Sequence, residues 1–355
     1  MITIADVARK AHVSAMTVSR VINNTATVSE ATRQRVLDAM ESLSYVPNSV
    51  ARSLIIGKTH TIGLVLADLT NPFFTTIARG AEDTAHDHRY RLILCDHDDN
   101  PSKEKQYIDA LISARVDGMV IVPANDSSKS TLSKLDCHKI PFVLLDRLVD
   151  NIEADTIIGN NREAAFRLTQ HLIDQGHRKI AIIIGPQDIY TARERFNGYL
   201  EALGSNYLPI LPQLITQTSF EPYHKKKDDQ PHLFATIATW MSSADRPTAI
   251  IAANNMVAIA VLQQLKALHL RCEEDVALVC FEEIDPHGIL EPSLTCAAQP
   301  AYQLGKLAVS TLFDRLMHPE SPIRTITLPI ELHYRSSSSL PKQRESVKST
   351  SEMGA

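Results

Sequence analysis

The stretch TIADVARKAHVSAMTVSRVIN at residues 3–23 decides the fold of the N-terminal part of the chain. Its first half spaces apolar residues as in a helix, and Asp6 lies in the first turn, where a carboxylate suits the helix dipole. Ser14 is a natural N-cap for a second helix over residues 15–22, which buries Val18, Val21 and Ile22. The outward face of that helix is mostly small or polar: Ala15, Met16, Thr17, Ser19 and Arg20. Two short helices around a tight turn, with such a face, predict a helix-turn-helix.

A third helix is predicted over residues 30–43, with Ser29 as its N-cap and Thr32 close enough to its start to contact phosphates. The apolar residues expected to close the small core are Val36, Leu37, Met40 and Leu43. A core of this size is weak by itself. The alternative for the whole segment is a plain helical hairpin at the edge of a globular domain, with Arg20 merely solvated.

Residues 3–23, VSEATRQRV at 28–36 and SYVPNSVARSL at 44–54 closely resemble the DNA-binding headpiece of the lactose-repressor/galactose-repressor (LacI/GalR) family. The resemblance continues less tightly to about Ser336. It implies that residues 1–46 bind operator DNA, with the start of the second helix entering the major groove. The DNA-contacting positions implied are Thr3, Ala15, Met16, Thr17, Ser19, Arg20, Asn23, Ser29, Thr32, Asn48, Ala51 and Leu54.

Residues 47–59 form a linker that begins at the helix-breaking Pro47 and has weak helical character. The resemblance implies a hinge helix here, which orders on operator DNA and inserts Leu54 into the minor groove beside the small Ala51. An exposed apolar linker residue makes physical sense chiefly as a wedge that unstacks bases. A leucine buried within the linker is the alternative.

Composition limits the possible classes of protein. A chain of 355 residues with 44% hydrophobic content can fill more than one domain core, and no run of about 18 apolar residues predicts a membrane span. No signal peptide is expected, and five cysteines without a CxxC pair favour reduced thiols and a cytoplasmic location. Residues 1–58 carry seven basic and four acidic side chains, net +3, so the remainder carries −8 of the total −5. This distribution keeps the attraction to DNA local to the headpiece.

From residue 60 the chain alternates apolar runs with amphipathic helices. The runs lie at 61–68, 91–96, 118–123, 141–146, 155–160, 179–185, 248–254 and 276–281, and helices are expected at 73–88, 102–114, 162–175, 191–203, 233–243, 256–268 and 301–317. Such continuous Val/Ile/Leu strands are typical of parallel sheets buried on both faces. The length exceeds one core, which predicts an α/β body of two doubly wound lobes.

The resemblance implies that the lobes are joined by three crossovers, as in type I periplasmic binding proteins, with ligand in the cleft between them. The effector-binding and dimerisation body is then expected at 60–338. Its N-terminal lobe is predicted at about 60–159 and 290–320, and its C-terminal lobe at about 160–289 and 321–338. The polar, Ser-rich tail at 339–355 is expected to be disordered.

Ligands in doubly wound sheets bind beyond the carboxyl ends of the strands, so the candidate binding residues follow the apolar runs. Asp68, Asn71, Phe73 and Phe74 follow the first run, and aromatic rings at a helix start can stack on a sugar. Asp146 and Arg147 follow the fourth and offer acceptors and a donor fork for vicinal hydroxyls. The alternatives are core phenylalanines and a mutual Asp–Arg salt bridge.

The resemblance adds further effector-binding positions from the second half of the chain, namely Arg195, Phe220, Asn254, Glu282 and Gln299. The chain also departs from the family pattern. Asn254-Asn255 stands for Asn-Asp, Glu282-Glu283 for Asp-Asp/Asn and Asn160-Asn161 for Asp-Asn. Glu282 is one methylene longer than Asp, which predicts a reshaped pocket. His12 replaces the usual turn glycine, at a position where a positive φ is expected.

The functional prediction is a sequence-specific transcriptional regulator, most simply a repressor, that binds palindromic double-stranded operator DNA as a homodimer. Its effector is expected to be an unphosphorylated monosaccharide, ribose-like aldoses first, bound without a cofactor or metal. The alternatives are a regulator that responds to a sugar acid or nucleoside, and a sugar-active enzyme. No phosphate loop, GxSxG elbow or HExxH sequence occurs. The acidic cluster at 95–99 could suggest a metal site, but a turn at the end of a strand is the better interpretation.

Overall fold

The computed structural model describes residues 2–23, 28–46, 57–219, 231–285, 289 and 291–341. The chain divides into two compact units, Met1–Thr59 and His60–Ala355. Four of the predicted binding residues lie outside the described residues: Asn48, Ala51, Leu54 and Phe220. So does most of the predicted tail, at 342–355. Within the described ranges, no helix is long and apolar enough to span a membrane.

The described part of the first unit contains three helices, α1 (Ile4–Ala11), α2 (Ala15–Asn23) and α3 (Glu30–Ser42). The side chains of Thr3 and Asp6 form a capping box at the start of α1, and Ser29 caps α3 by accepting the Thr32 N–H. His12 ends α1 with φ 53° and ψ 47°, the left-handed conformation that a glycine adopts more readily. These local devices produce the predicted helix-turn-helix.

One core assignment in this unit was wrong. Leu37 is 44% exposed, whereas Val36 and Ala39 are buried and Met40 and Leu43 pack against the core. Positions 36, 39, 40 and 43 lie on one face of a 3.6-residue helix, and position 37 is turned away by about 100°. Ile22 also packs at the edge of this core instead of being fully buried.

The second unit contains two six-stranded sheets. The strands are β1 (Thr61–Leu66), β2 (Arg91–Asp96), β3 (Gly118–Ile121), β4 (Phe142–Leu145), β5 (Asp155–Gly159), β6 (Ile180–Ile184), β7 (Ile215–Gln217), β8 (Ala249–Ala252), β9 (Ala277–Phe281), β10 (Thr295–Ala298), β11 (Thr325–Leu328) and β12 (Glu331–His333). The first sheet has the order β11-β5-β4-β3-β1-β2 and is parallel throughout. The second has the order β12-β10-β9-β8-β6-β7, and β12 alone among these strands runs antiparallel.

Helices cover both sheets. They are α4 (Pro72–Asp87), α5 (Pro101–Ser113), α6 (Lys129–Cys137), α7 (Asn161–Asp174), α8 (Tyr190–Ser205), α9 (Pro231–Ser242), α10 (Asn255–Ala267) and α11 (Ala301–Met317). The eight predicted strands and seven predicted helices of the body are all present within a few residues of their expected bounds. Sequence analysis missed α6 and the short strands β7, β10, β11 and β12, which lack a long apolar run.

The predicted lobe boundaries were wrong near the C-terminus. Strand β10 was assigned to the N-terminal lobe, but it pairs with β9 in the second sheet. Strand β11 was assigned to the C-terminal lobe, but it pairs with β5 in the first sheet. The chain therefore passes between the lobes after β5, after β10 and after β11. Strand β10 belongs to the second sheet because it pairs with β9 there, and its Cys296 and Ala297 are fully buried beside that strand.

Two glycines bring α4 and α11 into close contact. A Cβ on Gly305 would lie 2.0 Å from the Ile77 carbonyl oxygen, and one on Gly80 would lie 2.1 Å from the Tyr302 carbonyl oxygen. Both contacts are to backbone, which cannot rotate away as a side chain can. The two helices therefore pack at a distance that only glycine permits at these positions, and they cover one face of the first sheet.

We expect Gly305→Ala to destabilise the body by about 2–3 kcal/mol, because α11 must move off α4 to admit a methyl group. The melting temperature should fall by roughly 4–10 °C. Gly204→Ala in α8 is the matched control, since a Cβ there meets nothing within 4 Å and alanine favours a helix. Thermal denaturation followed by circular dichroism measures both. Equal melting temperatures for the two variants would contradict the packing argument.

Candidate functional site

The candidate DNA interface is the outward face of α2. Met16 is 63% exposed, and Ala15 at the start of the same helix and Arg20 in its last turn are also exposed. The Thr17 hydroxyl lies 2.9 Å from the Ser14 hydroxyl, and Asn23 donates to the Ser19 hydroxyl at 3.2 Å. An exposed guanidinium among small side chains can approach base edges or phosphates in a major groove.

Two of the predicted DNA-contacting residues, Thr3 and Ser29, are also helix N-caps. Thr3 donates through its hydroxyl to Asp6 at 2.7 Å, and Ser29 donates to the Thr32 hydroxyl at 2.9 Å. These residues sit at the starts of α1 and α3, where backbone N–H groups point outward. Helix N-termini of this kind suit phosphate oxygens. Contact with DNA by each of these residues remains a prediction.

The candidate effector site lies between the two sheets, and its first wall follows β1. Asn71 caps α4 by accepting the Phe73 N–H at 2.9 Å, and Asp68 accepts from the Thr70 N–H and hydroxyl. The rings of Phe73 and Phe74 pack edge to face with centroids 5.0 Å apart. Both phenylalanines belong to the hydrophobic core and also line the cavity, and their contact with an effector remains a prediction.

The second wall follows β4 and consists of Asp146, which has φ 65°, and the buried Arg147. Arg147 Nη1 donates to Asp99 at 2.5 Å and to two backbone carbonyls. Its Nε is 3.9 Å from Asp146 Oδ2, so Asp99 is its principal ionic partner. Among the described residues, Asp146 Oδ1 and Arg147 Nε have no hydrogen-bond partner although both are buried. Such an acceptor and donor side by side indicate a ligand position.

Burial raises the pKa of Asp146 to about 6, while the guanidinium groups of Arg147 and Arg195 act in the opposite direction. The carboxyl group is therefore mostly ionised at pH 7 and becomes protonated just below neutrality. Burial also raises the pKa of Asp99, against the influence of Arg147. These shifts mark the cleft as a place where desolvated charges face one another.

The third wall comes from the second lobe and is built around Arg195 in α8. Its guanidinium donates to Asn161 at 2.8 Å, to the Ala253 carbonyl at 2.5 Å and to Glu282 at 2.9 Å. It also lies 4.3 Å from the centroid of the Phe281 ring. The side chain is thus fixed in direction and neutralised, with two of its five N–H groups left for a ligand.

The two lobes also contact each other at the rim of the cleft. Asn255 Nδ2 donates to Asn71 Oδ1 at 2.9 Å, and both side chains are buried. At another point Asp126 pairs with Arg193 at 2.9 Å. The first contact joins the starts of α4 and α10, so it limits the separation of the two walls.

The space in the cleft amounts to about 380 Å³, a volume that includes space open to solvent. It is lined by Asp68, Asn71, Phe73, Phe74, Asp99, Asp146, Arg147, Thr191, Arg195, Asn254 and Glu282. Nine of these were predicted, and the structure brings them together. Sequence analysis missed Asp99, which ends the acidic turn after β2, and Thr191, which opens α8. Gln299 does not line the cavity and instead donates to Glu282 from behind it.

The charges around this cavity are unequal. Asp68, Asp99, Asp146 and Glu282 supply four carboxylates, whereas Arg147 and Arg195 supply two guanidinium groups, a formal excess of −2. An anionic ligand would add to this excess in a desolvated space. The site therefore favours a ligand rich in hydrogen-bond donors and without negative charge.

A separate cluster has the side-chain types of a metal site. Donor atoms of Glu283, Cys296 and His333 lie within 4.8 Å of one another. Arg335, however, donates to both Glu283 oxygens at 3.1 and 2.6 Å. Hydrogen bonds from Arg335 and His333 hold the pKa of the Glu283 carboxyl at about 2, although burial acts to raise it. The cluster is an ion-pair network that ties the segment after β12 to the second sheet.

Two family models match the chain, one in each of its two units. A family model described as bacterial regulatory proteins of the lacI family matches residues 3–48. A second, described as periplasmic binding proteins and sugar binding domain of LacI family, matches residues 59–336. The chain belongs to the LacI family. The predicted fold class, an all-α headpiece with a body like type I periplasmic binding proteins, is confirmed.

Relatives within the LacI family resemble the chain over nearly its whole length. The HTH-type transcriptional repressor PurR of Aliivibrio salmonicida is 34% identical and covers 90% of this chain and 97% of its own. PurR of Vibrio vulnificus is 35% identical, with 94% and 98% covered. A Lac repressor structure bound to ONPG has 26% identity and a TM-score of 0.80, with 95% and 99% covered. The protein is therefore a DNA-binding transcriptional repressor controlled by a small-molecule effector.

Arg20→Ala should weaken operator binding by about 1–3 kcal/mol if the guanidinium reads a base, and should weaken binding to random DNA less. The exposed Arg9 on α1 already pairs with Asp6, so Arg9→Ala is the matched control for lost positive charge. Fluorescence anisotropy at fixed salt measures the affinities of the wild type and both variants for operator DNA and for random DNA. Equal losses on operator and random DNA would make Arg20 a phosphate contact.

Proposed function

We propose that the effector is a small, neutral, unphosphorylated monosaccharide, with ribose-like aldoses as the first candidates. It binds between the two lobes, and its occupancy controls the affinity of the headpiece for operator DNA. The observation that carries this proposal is the buried, unpaired Asp146 Oδ1 beside the unpaired Arg147 Nε. A pair of vicinal hydroxyls can donate to the first and accept from the second.

The aromatic wall supports the same ligand class. Phe73 and Phe74 line the cavity on the side of the first lobe, and the C–H face of a sugar ring stacks on such rings. Arg195 and Asn254 reach the cavity from the second lobe, so hydroxyls on the far side of the ring meet polar partners. Two aromatic rings among many polar side chains suit a ligand that has hydroxyl groups and also a C–H face.

Charge argues against the sugar-acid alternative. A carboxylate ligand would face four side-chain carboxylates and only two guanidinium groups, each already paired within the protein. Related structures support a neutral sugar without deciding it. A LacI family regulator of Enterococcus faecium with bound ribose is 26% identical and has a TM-score of 0.68, covering 79% of this chain and all of its own.

The protein is further proposed to act as a homodimer on a palindromic operator. One small headpiece supplies few contacts, and two fix the spacing of half-sites. Strand β2 is the outermost strand at its end of the first sheet, and its Ile93 and Leu94 are about two-fifths exposed. Exposed apolar residues on an edge strand suit burial against a second copy. Because a repressor acts where its operator is, we place the protein in the cytoplasm.

Calorimetry with D-ribose and other aldoses tests the effector. We expect one of them to bind. Arg195→Ala and Asp146→Asn should each lower the affinity for that sugar by more than about tenfold, roughly 1.4 kcal/mol. Asp109→Asn is the control, because this carboxylate pairs with Lys134 within the first lobe and does not line the cavity. If a sugar binds and neither cavity substitution weakens it, the effector site is elsewhere.

The affinity for the sugar should also depend on pH. An Asp146 carboxyl with a pKa of about 6 is ionised above that pH, and a hydroxyl that donates to Oδ1 requires the ionised form. Affinity should therefore be constant from pH 8 to 7 and should fall below pH 6, by up to about tenfold per pH unit. Asp146→Asn should abolish this fall. A wild-type affinity independent of pH would exclude Asp146 as an acceptor for the ligand.

Leu94→Glu should convert the dimer to a monomer, because it places a charge within the proposed contact. Sedimentation equilibrium measures the mass, and operator affinity should fall with it. Ile323→Glu is the control, since Ile323 is 50% exposed and lies outside β2. A Leu94→Glu protein that sediments as the wild type does would remove β2 from the interface.

A further inference from the structure

Glu104 is a buried acid of the first lobe that does not line the effector cavity. It lies in α5, and its relative exposure is 0%. Oε1 accepts from the Ala124 backbone N–H at 3.1 Å, and Oε2 accepts from the Ser128 hydroxyl at 2.6 Å. Burial raises the pKa of this carboxyl, against those two hydrogen bonds and the charge of Arg147. A desolvated carboxylate with two such bonds is costly to displace, so it fixes the segment that supplies both donors.

The segment that Glu104 fixes is residues 123–128, which lie between β3 and α6 and are called the bridging loop below. On the side of the cleft, the Pro123 and Ala124 carbonyls each accept from Arg147 Nη1 at 3.0 Å. Ala124 therefore bonds to Arg147 through its C=O and to Glu104 through its N–H. A displacement of the bridging loop would take two acceptors away from the Arg147 guanidinium.

The bridging loop also contacts the second lobe. Asn125 Nδ2 donates to Asp188 Oδ2 at 2.9 Å, and the Asp126 backbone N–H donates to the Asp188 carbonyl at 3.0 Å. Arg193 Nη1 donates to Asp126 Oδ2 at 2.9 Å. These three contacts are called the interlobe clasp below. Their side chains are partly exposed, so each contact is weak by itself, and the clasp depends on a loop position in which all three form together.

We propose that Glu104 is a positioning residue that links Arg147 in the cleft to the interlobe clasp. Its two bonds, to Ala124 and Ser128, lie on either side of the clasp residues Asn125 and Asp126. The bridging loop therefore moves as one short unit, and a displacement of Arg147 changes the contacts between the lobes. A continuous chain of hydrogen bonds is a physical route for such coupling. Its meaning for effector control rests on the proposed function, whereas the link itself requires no ligand.

The distance between the lobes in the ligand-free protein tests this link. Pulsed electron resonance measures it between spin labels at Glu82→Cys in α4 and Gly204→Cys in α8, in a background with Cys137→Ser and Cys272→Ser. Glu82 is exposed, and a Cβ at position 204 meets nothing within 4 Å. An excess of the same unlabelled variant ensures that only label pairs within one chain contribute. Asp126→Ala removes a clasp side chain directly, so it is the reference and should lengthen the mean distance.

Glu104→Ala should lengthen the distance in the same direction, because it releases the bridging loop at both bonds. Adding Asp126→Ala to this variant should lengthen the distance no further, since both changes act through one segment. Glu104→Gln should stay close to the wild type, because its amide can accept from Ala124 and donate to the Ser128 hydroxyl. A role confined to the stability of the first lobe would not change this distance.

Arg147→Lys tests the other end of the link and should also lengthen the distance. An ammonium group keeps the positive charge beside Asp99 but does not reproduce the fixed geometry of the guanidinium donors. Asp155→Ala is the matched control and should leave the distance unchanged. It also removes a buried carboxylate of the first lobe, which accepts from Arg315 at the start of β5, away from the bridging loop.

Four results would overturn the proposal. An unchanged distance in Asp126→Ala would mean that the clasp does not hold the lobes. A Glu104→Ala protein with a lower melting temperature but the wild-type distance would leave Glu104 with a structural role alone. An unchanged distance in Arg147→Lys would separate the cleft from the clasp, and equal lengthening in Asp155→Ala would show that any destabilised first lobe opens.

Ser128→Ala keeps the test decisive if Glu104→Ala does not fold, because it removes one of the two bonds and leaves Glu104 in place. It should lengthen the distance in the same direction as Asp126→Ala, and a wild-type distance in this variant would also contradict the proposal. Calorimetry with D-ribose and other aldoses remains a separate test. If no sugar binds, the effector proposal fails while the distances still decide the link.

Discussion

The buried ion pair between Arg195 and Glu282 is the interaction on which the second lobe's half of the cleft depends. A guanidinium removed from water is tolerated only when its charge and its N–H groups are satisfied. Here Glu282 supplies the charge, and Asn161 and the Ala253 carbonyl accept from the remaining directions. Because Arg195 lies in α8 and its partners come from α7 and from the ends of β8 and β9, these contacts tie four elements to one geometry.

The first lobe also contains a buried arginine, which is neutralised by a different arrangement of carboxylates. Arg147 is neutralised mainly by Asp99, which leaves the neighbouring Asp146 with a free, buried oxygen. The result is one lobe with an unpaired donor and acceptor and another with a largely satisfied cation. A ligand that bridges the two lobes would gain most from the first lobe's unpaired groups. An effector can shift the lobe arrangement only through such differences in contact.

Three residues that depart from the family pattern have contacts or backbone conformations that the structure explains. Asn255, where the family has an aspartate, donates to Asn71 across the cleft, which an ionised carboxylate could not do. Asn161 accepts from Arg195 as a neutral amide, so Glu282 remains the principal ionic partner of that arginine. His12 takes the left-handed conformation that a glycine would adopt at less cost.

The sequence by itself determined the helix-turn-helix, the strand and helix alternation and most of the cavity lining, because each rests on local information. Caps and helical periodicity mark α1 to α3, and parallel strands bring their carboxyl ends to one edge, which placed Asp68 and Asp146 near the cleft, whereas Arg195 was expected there from the family resemblance. Tertiary structure alone decided which sheet β10 and β11 join, since a four-residue strand carries no signal for its partner. It also decided that Asp99 pairs with Arg147 and that Gln299 lies behind Glu282, because long-range pairing of buried charges depends on packing and not on spacing along the chain.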